Sequence, residues 1–235
     1  MGGAMEVLSS MVEFAGGNVV KNTEGFLARP KNERSCPAVI VIHEIWGVVD
    51  HIKDVSRRLA GEGYVALAVD LFGGKTVSKL EEGRGLRQEL SEENIMGDLK
   101  GGFDYLQSLK CVHPKRIGSI GFCMGGGLSL LLACHNKDLA AAVVFYGRNP
   151  SPIDLVKNIK CPILGNYAGA DMAISESDIN LLKETLTKYG KVFDIKVYSG
   201  APHAFFNEMR ESYRLEAAKD AWERTLGFFD RYLRA

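Results

Sequence analysis

The run Arg116-Ile-Gly-Ser-Ile-Gly-Phe-Cys-Met-Gly-Gly-Gly-Leu128 decides how this chain folds. Up to Phe122 it is a mostly apolar stretch of the kind found in strands buried on both faces. Residues Leu128 to Ala133 then predict a buried helix. Between the two lies Gly121-Phe-Cys-Met-Gly125, a nucleophile-elbow pattern with Cys123 at its centre. The central residue of so sharp a turn is strained, and the residues two places away on either side come very close. Glycines at 121 and 125 leave room for that approach, and Gly126 and Gly127 extend it into helix–strand packing. The turn lifts the Cys123 thiol above the sheet edge and leaves it at a helix N-terminus, whose dipole favours a thiolate. The backbone N–H of Met124 is placed to bind a developing oxyanion. A buried cysteine in a glycine-rich packing turn would read the same way locally, so the decision rests on its partners.

Outward from this run, strands and helices alternate. Ala38–Ile42 and Tyr64–Val69 are continuous apolar runs, and Ile52, Val55 and Leu59 recur between them at helical spacing. The polar, glycine-rich stretch 72–91 predicts an irregular surface excursion. Ile95, Leu99, Phe103 and Leu106 mark a helix before the elbow strand. After the elbow come strands at Ala140–Tyr146, Pro162–Tyr167 and Phe193–Tyr198. Helices are marked by Ile179, Leu182, Leu186 and Tyr189, and by Leu215 through Leu233. Met11–Phe14 and Asn18–Val20 flank Gly16-Gly17 and predict a hairpin within residues 1–30. No repeat or linker interrupts the pattern, so residues 1–235 are expected to form one α/β domain with a mostly parallel sheet covered by helices on both faces. Ligands of such sheets bind beyond the carboxyl ends of the strands, which directs attention to the loops there.

Bulk properties narrow the function. With 29 basic and 29 acidic residues among 235 the formal net charge is zero, which gives no electrostatic reason to expect nucleic acid or an anionic membrane as partner. The five cysteines (Cys36, Cys111, Cys123, Cys134 and Cys161) are odd in number and form no C-x-x-C pair, the pattern of reduced thiols in a cytoplasm. No apolar run reaches the length of a membrane span, and the opening residues carry no signal-peptide pattern. Gly73-Gly-Lys-Thr76 hints at a phosphate-binding loop, but that pattern needs glycine at Val69. His43 beside Glu44 has no third ligand at metal spacing. No metal or organic cofactor is expected.

In α/β-hydrolases the triad follows the chain order nucleophile, acid, histidine. After Cys123 the histidines are His135, just past the elbow helix, and His203, in the loop Ser199-Gly-Ala-Pro-His-Ala-Phe205 between the last strand and the last helix. His203 occupies the position from which this architecture delivers its base. Asp171 follows a buried strand and can orient His203 and stabilise its imidazolium. Asp171 could instead cap the next helix, but Ser175 or Ser177 suits that task better. The loop Val41-Ile-His-Glu-Ile-Trp-Gly47 normally supplies a second oxyanion donor, here the Ile45 N–H. Glu44 beside a thiol could accept its proton.

The segments His43-Glu-Ile-Trp-Gly47, Gly121-Phe-Cys-Met-Gly-Gly126, Asp171 and His203-Ala-Phe205 resemble those of the dienelactone hydrolase family (carboxymethylenebutenolidases), over nearly the whole chain after the first thirty residues. The resemblance implies hydrolysis of an enol-lactone through an acyl-cysteine, with Glu44 taking part in thiolate formation when substrate binds. It also suggests Trp46 and Phe205 as substrate contacts. The chain departs from the family at Asn207, where lactonases carry an arginine that grips the substrate carboxylate. Arg84 and Arg87 are candidates to supply that charge. The expectation is a cysteine hydrolase acting on a small-molecule lactone or ester. Its rivals are a general carboxylesterase or thioesterase on the same fold, favoured by Asn207, and a non-catalytic ligand-binding relative, disfavoured by an intact triad.

Overall fold

The computed structural model describes residues 5–17, 22–31 and 35–234. The chain forms two compact units that meet in sequence between Ile117 and Gly118.

The first unit contains strands β1 (Val7–Phe14), β2 (Thr23–Pro30), β3 (Cys36–Ile42) and β4 (Val65–Val69), with helices α1 (Asp50–Gly61), α2 (Leu80–Gln88) and α3 (Glu92–Ser108). Its strand order is β1-β2-β4-β3. Strands β3 and β4 run parallel in the register Ala38↔Val65 to Ile42↔Val69, while β2 is antiparallel to both β4 and β1. The hairpin's first expected strand lies within β1, and the second, Asn18–Val20, falls outside the described residues; the observed partner of β1 is β2. All residues of β3 and β4 are buried, as their unbroken apolar composition requires. The two faces of the sheet are covered separately. Gly102 of α3 lies against Val69 and Leu67, whereas Arg57 of α1 lies over Phe26, which pairs with Ala68. Alternation along β4 sends odd and even residues to opposite faces.

The stretch 72–91 corrects the expectation of an irregular excursion, because it contains α2. The helix was obscured by its sequence, Leu80-Glu-Glu-Gly-Arg-Gly-Leu-Arg-Gln88, which has no apolar stripe and two glycines of low helix propensity. It attaches through Gly83, where any Cβ would overlap the carbonyl oxygen of Ile45.

The second unit contains β5 (Val112–Phe122, crossing the boundary), β6 (Ala141–Phe145), β7 (Ile163–Ala168) and β8 (Phe193–Tyr198), in that order and all parallel. Helix α4 (Met124–His135) follows β5, α5 (Glu176–Lys188) follows β7 and α6 (Leu215–Phe229) closes the chain, continuing as a π-helical turn over Asp230–Arg234. Its faces are also covered separately. Ser119 of β5 hydrogen-bonds Ser129 of α4 at 2.8 Å, while the adjacent Gly118 lies against Phe229 and Leu233. Ser175 caps α5 reciprocally, accepting from the Asp178 N–H while the Asp178 carboxylate accepts from the Ser175 N–H.

Helix α3 carries Gly97, Gly101 and Gly102, an expensive composition for a helix interior. The reason is the close approach of the β1–β2 connection: a Cβ at Gly101 would overlap the Ala15 carbonyl oxygen. Gly101→Ala is expected to destabilise the protein by about 1–3 kcal/mol through overpacking, against the roughly 1 kcal/mol that alanine gains in an uncrowded helix. Thermal unfolding checks the sign; a raised midpoint would show that α3 does not depend on this contact.

Candidate active site

Cys123 sits between β5 and α4 with φ 55° and ψ −114°, a conformation that side chains other than glycine rarely adopt. The turn is tight enough that a Cβ on Gly121 would overlap the Gly125 carbonyl. It is secured on both sides. The Cys123 N–H donates to the Phe145 carbonyl at 3.1 Å, and the Cys123 carbonyl accepts from the N–H groups of Gly126 at 3.0 Å and Gly127 at 3.3 Å. The side chain is partly exposed. Met124 opens α4, so its N–H is among those that no helical carbonyl can satisfy.

Asp171 and His203 lie in the loops after β7 and β8. Two backbone bonds lock these loops together, from the Gly169 N–H to the Tyr198 carbonyl at 2.8 Å and from the Ala170 N–H to the Ala201 carbonyl at 2.9 Å. The His203 Nδ1 lies 2.7 Å from Asp171 Oδ2. The Asp171 side chain is 1% exposed and that of His203 28%, so the carboxylate is enclosed while the imidazole reaches the surface. Burial works against the Asp171 charge, but the hydrogen bond from His203 and the N–H groups of Ala173 and Ile174, at 2.7 and 3.2 Å, hold its pKa below the ordinary value. Burial likewise opposes the imidazolium of His203. Its hydrogen bond to Asp171 and the influence of the neighbouring Cys123 side chain prevail, and its pKa is pushed up to about 10. With Nδ1–H donating to Asp171, Nε2 is left for Cys123. Cys123, His203 and Asp171 are thus brought together within the second unit.

The remaining candidates from around His203 are placed differently. Phe205 is fully buried, with its ring centroid 5.4 Å from that of Tyr146 and 5.0 Å from that of Tyr198; it is a core residue and offers no surface to a ligand. Asn207 is 2% exposed and its Oδ1 accepts from the Met209 N–H at 3.0 Å, so that oxygen is engaged in a local turn. Sequence reading missed Tyr146, whose ring centroid lies 5.0 Å from that of His203.

In the first unit, Glu44, Ile45 and Trp46 form the turn after β3. His43 braces it: with Nδ1 donating to the Glu44 carbonyl at 2.5 Å, Nε2 accepts from the Leu71 N–H at 3.2 Å. Burial lowers the His43 pKa, which keeps the ring neutral and suited to that acceptor role. Glu44 and Ile45 are buried and Trp46 is half-buried, its carbonyl accepting from the Val77 N–H at 3.1 Å. Arg84 and Arg87 lie on α2, the helix resting on the Ile45 carbonyl. Arg84 is exposed; Arg87 is half-buried and donates to the Leu90 carbonyl at 3.1 Å. A cavity of about 250 Å³ in this unit is lined by residues including Thr23, Asp70, Phe72, Lys75 and Asp98, none of them a candidate from the sequence. Among the described residues no group of three or more His, Cys, Asp or Glu side chains could hold a metal ion, and no helix is long and apolar enough to cross a membrane.

Comparison with known proteins matches residues 23–233 to the model of the dienelactone hydrolase family. A protein of Saccharolobus solfataricus, provisionally named carboxymethylenebutenolidase, is 40% identical over 88% of this chain and 93% of its own length. The protein usf of Aquifex pyrophilus is 36% identical over 96% of this chain and all of its own. Among solved structures, a provisionally named dienelactone hydrolase from Klebsiella pneumoniae superposes with a TM-score of 0.89 at 31% identity, covering 97% of this chain and 100% of that one. The fold is accordingly that of the α/β-hydrolases, with a mostly parallel sheet.

The raised pKa of His203 links this cluster to stability. A group whose pKa is raised on folding contributes stability that is complete below its unfolded value, near 6.5, and lost as pH climbs through about 10. His203→Gln is expected to remove that part of the pH dependence. Urea unfolding of wild type and variant between about pH 6 and 10.5 measures it; parallel curves would show that His203 does not carry the shift.

Proposed function

The chain belongs to the dienelactone hydrolase family, and from that premise we propose that it cleaves small uncharged esters or lactones through an acyl-cysteine at Cys123. The observation that carries this reading is the His203 imidazole, bonded through Nδ1 to Asp171 at 2.7 Å and close enough to Cys123 for that side chain to help raise its pKa. Such an arrangement moves a proton in both half-reactions. Cys123 Sγ attacks the substrate carbonyl carbon as its proton passes to His203. The oxyanion is met by the N–H of Met124 at the start of α4 and, following the family resemblance, by that of Ile45. The tetrahedral intermediate expels the alkoxide, which takes the proton from His203 and leaves a thioester on Cys123. His203 then removes a proton from water, the resulting hydroxide attacks the thioester, and the carboxylic acid departs as the thiol is restored. In a lactone the alcohol and acid remain one molecule. By the same resemblance, Glu44 assists in removing the thiol proton when substrate arrives. Asp171 holds the tautomer throughout.

The uncharged substrate class follows from Asn207. An arginine there would offer a carboxylated substrate a charge-assisted pair, whereas Asn207 is neutral and its oxygen is taken by Met209. This favours a broader carboxylesterase or thioesterase range over a dedicated lactonase of carboxylated substrates. The reading also supports a reducing, cytoplasmic setting, in which the five free cysteines stay as thiols.

Two measurements test the proposal. With a slowly deacylating ester, mass spectrometry should find the acyl group on Cys123 alone. Burial pushes the Cys134 and Cys161 thiols up to about 12, which leaves both protonated and unreactive. Cys123→Ala should lower kcat by about 10⁴-fold or more. Acylation of another cysteine, or a Cys123→Ala enzyme close to wild type, would refute the mechanism. For matched neutral and carboxylated esters, kcat/KM should be at least comparable for the neutral one, because a missing charge-assisted contact forfeits about tenfold for the anion. A strong preference for the anion would instead direct attention to Arg84 and Arg87.

A further inference from the structure

Tyr146 is the residue immediately after β6, and it is unusual in three respects. Its backbone has φ 39°, in the left-handed region, although it is not glycine. Its side chain is fully buried. Its ring lies 5.0 Å from that of His203 and tilted 59° to it, with the Phe205 ring 5.4 Å away in an edge-on arrangement. The Tyr146 N–H donates to the Asn166 carbonyl of β7 at 2.8 Å, which fixes its backbone to the neighbouring strand. The residue before it, Phe145, supplies the carbonyl that accepts from the Cys123 N–H at 3.1 Å. One dipeptide therefore touches the nucleophile through its backbone and the base through its ring.

The Asp171 bond holds His203 at one nitrogen. A ring tethered at one atom still swings about that contact, and the swing carries Nε2 toward or away from Cys123. A flat, immobile neighbour against the imidazole removes that freedom. We infer that Tyr146 is a positioning residue for His203, its ring plane holding the imidazole at the angle that keeps Nε2 directed at Cys123. The inference rests on the reading in which His203 serves Cys123 as base. It accounts for the left-handed backbone at 146, since that conformation lets a chain leaving β6 keep its carbonyl on the elbow and still present an aromatic ring to the base. Strained backbone retained at a functional contact is the expected signature of such a role.

The distinguishing variants are Tyr146→Phe, which keeps the plane, and Tyr146→Leu, which loses it. Each is assayed with p-nitrophenyl acetate for kcat and KM, and the His203 imidazole is titrated by NMR in the same proteins without substrate. Asp171, bonded to this ring at 2.7 Å, and Cys123 are the ionisable groups that act on it, and a loosened ring engages both less well and loses the aromatic neighbour that favours its cation. Tyr146→Leu should lower kcat by about 10- to 100-fold, the cost of a misplaced catalytic group, with KM within about twofold, and should move the His203 midpoint downward. Tyr146→Phe should match wild type in all three. Equal losses in both variants would assign the effect to the hydroxyl and overturn the inference, as would a leucine variant with unchanged kcat and midpoint. If leucine prevents folding, Tyr146→Met, similar in size but without a plane, faces the same measurements with the same expected losses. Absence of turnover in the wild type would refute the hydrolase reading, while the titration midpoints would still decide whether Tyr146 fixes the ring.

Discussion

The structure of the site depends on one strained residue, the left-handed backbone of Cys123. Such a conformation costs of order 1–3 kcal/mol for a side chain other than glycine, and it persists because the surroundings over-determine it. The N–H is held by β6, the carbonyl by the first turn of α4, and the space beside the turn is kept empty by Gly121. Relaxing the residue into an ordinary conformation would break all three arrangements at once. The strain thus sets Cys123 apart from the buried cysteines of the same chain: Cys134 lies inside α4 and Cys161 beside β7, where burial suppresses ionisation.

The Asp171–His203 pair shows how burial and hydrogen bonding compete at a single point. Desolvation opposes charge on Asp171 and on His203 alike. It is overcome because every oxygen of the carboxylate is met by a donor, two backbone N–H groups on one side and the imidazole on the other. His43 shows the opposite balance. It is more deeply buried than His203, and its partners are a carbonyl and a backbone N–H, the second of which requires an unprotonated ring nitrogen. Two histidines of one chain are held in different states by the partners they face, and only the one facing a carboxylate and a thiol is suited to carry protons.

Much of the fold was legible because β3 and β4 are uninterrupted apolar runs and α1 and α3 carry regular apolar spacing. The loops following β5, β7 and β8 were legible as the places to seek chemistry because a parallel sheet puts them at one edge. What was hidden was hidden for physical reasons. Helix α2 has no apolar stripe and is held by the absence of a side chain, which no periodicity records. The second strand of the N-terminal hairpin lies beyond the glycine turn, at Thr23–Pro30, where a glycine and a proline mask its pattern. Phe205 was read as a substrate contact within the family-like segment His203-Ala-Phe205, but the left-handed Ala204 precedes a side chain that lies in the core. Tyr146 closes an apolar run and looks like any other core aromatic until its backbone angle is known.

The attachment of α2 bears on how a protein of this kind changes over evolutionary time. Gly83 is the buried residue of the helix, and the positions around it, including Glu81, Glu82, Arg84 and Gln88, face solvent. Substitutions at exposed positions usually alter stability by no more than about 0.5 kcal/mol. The helix rests on the turn that carries Glu44 and Ile45, yet its outward residues can be replaced almost without penalty. A lineage could therefore recolour this surface, exchanging acidic for basic or polar for apolar groups, while one glycine keeps the element in place and the scaffold beneath it unaltered.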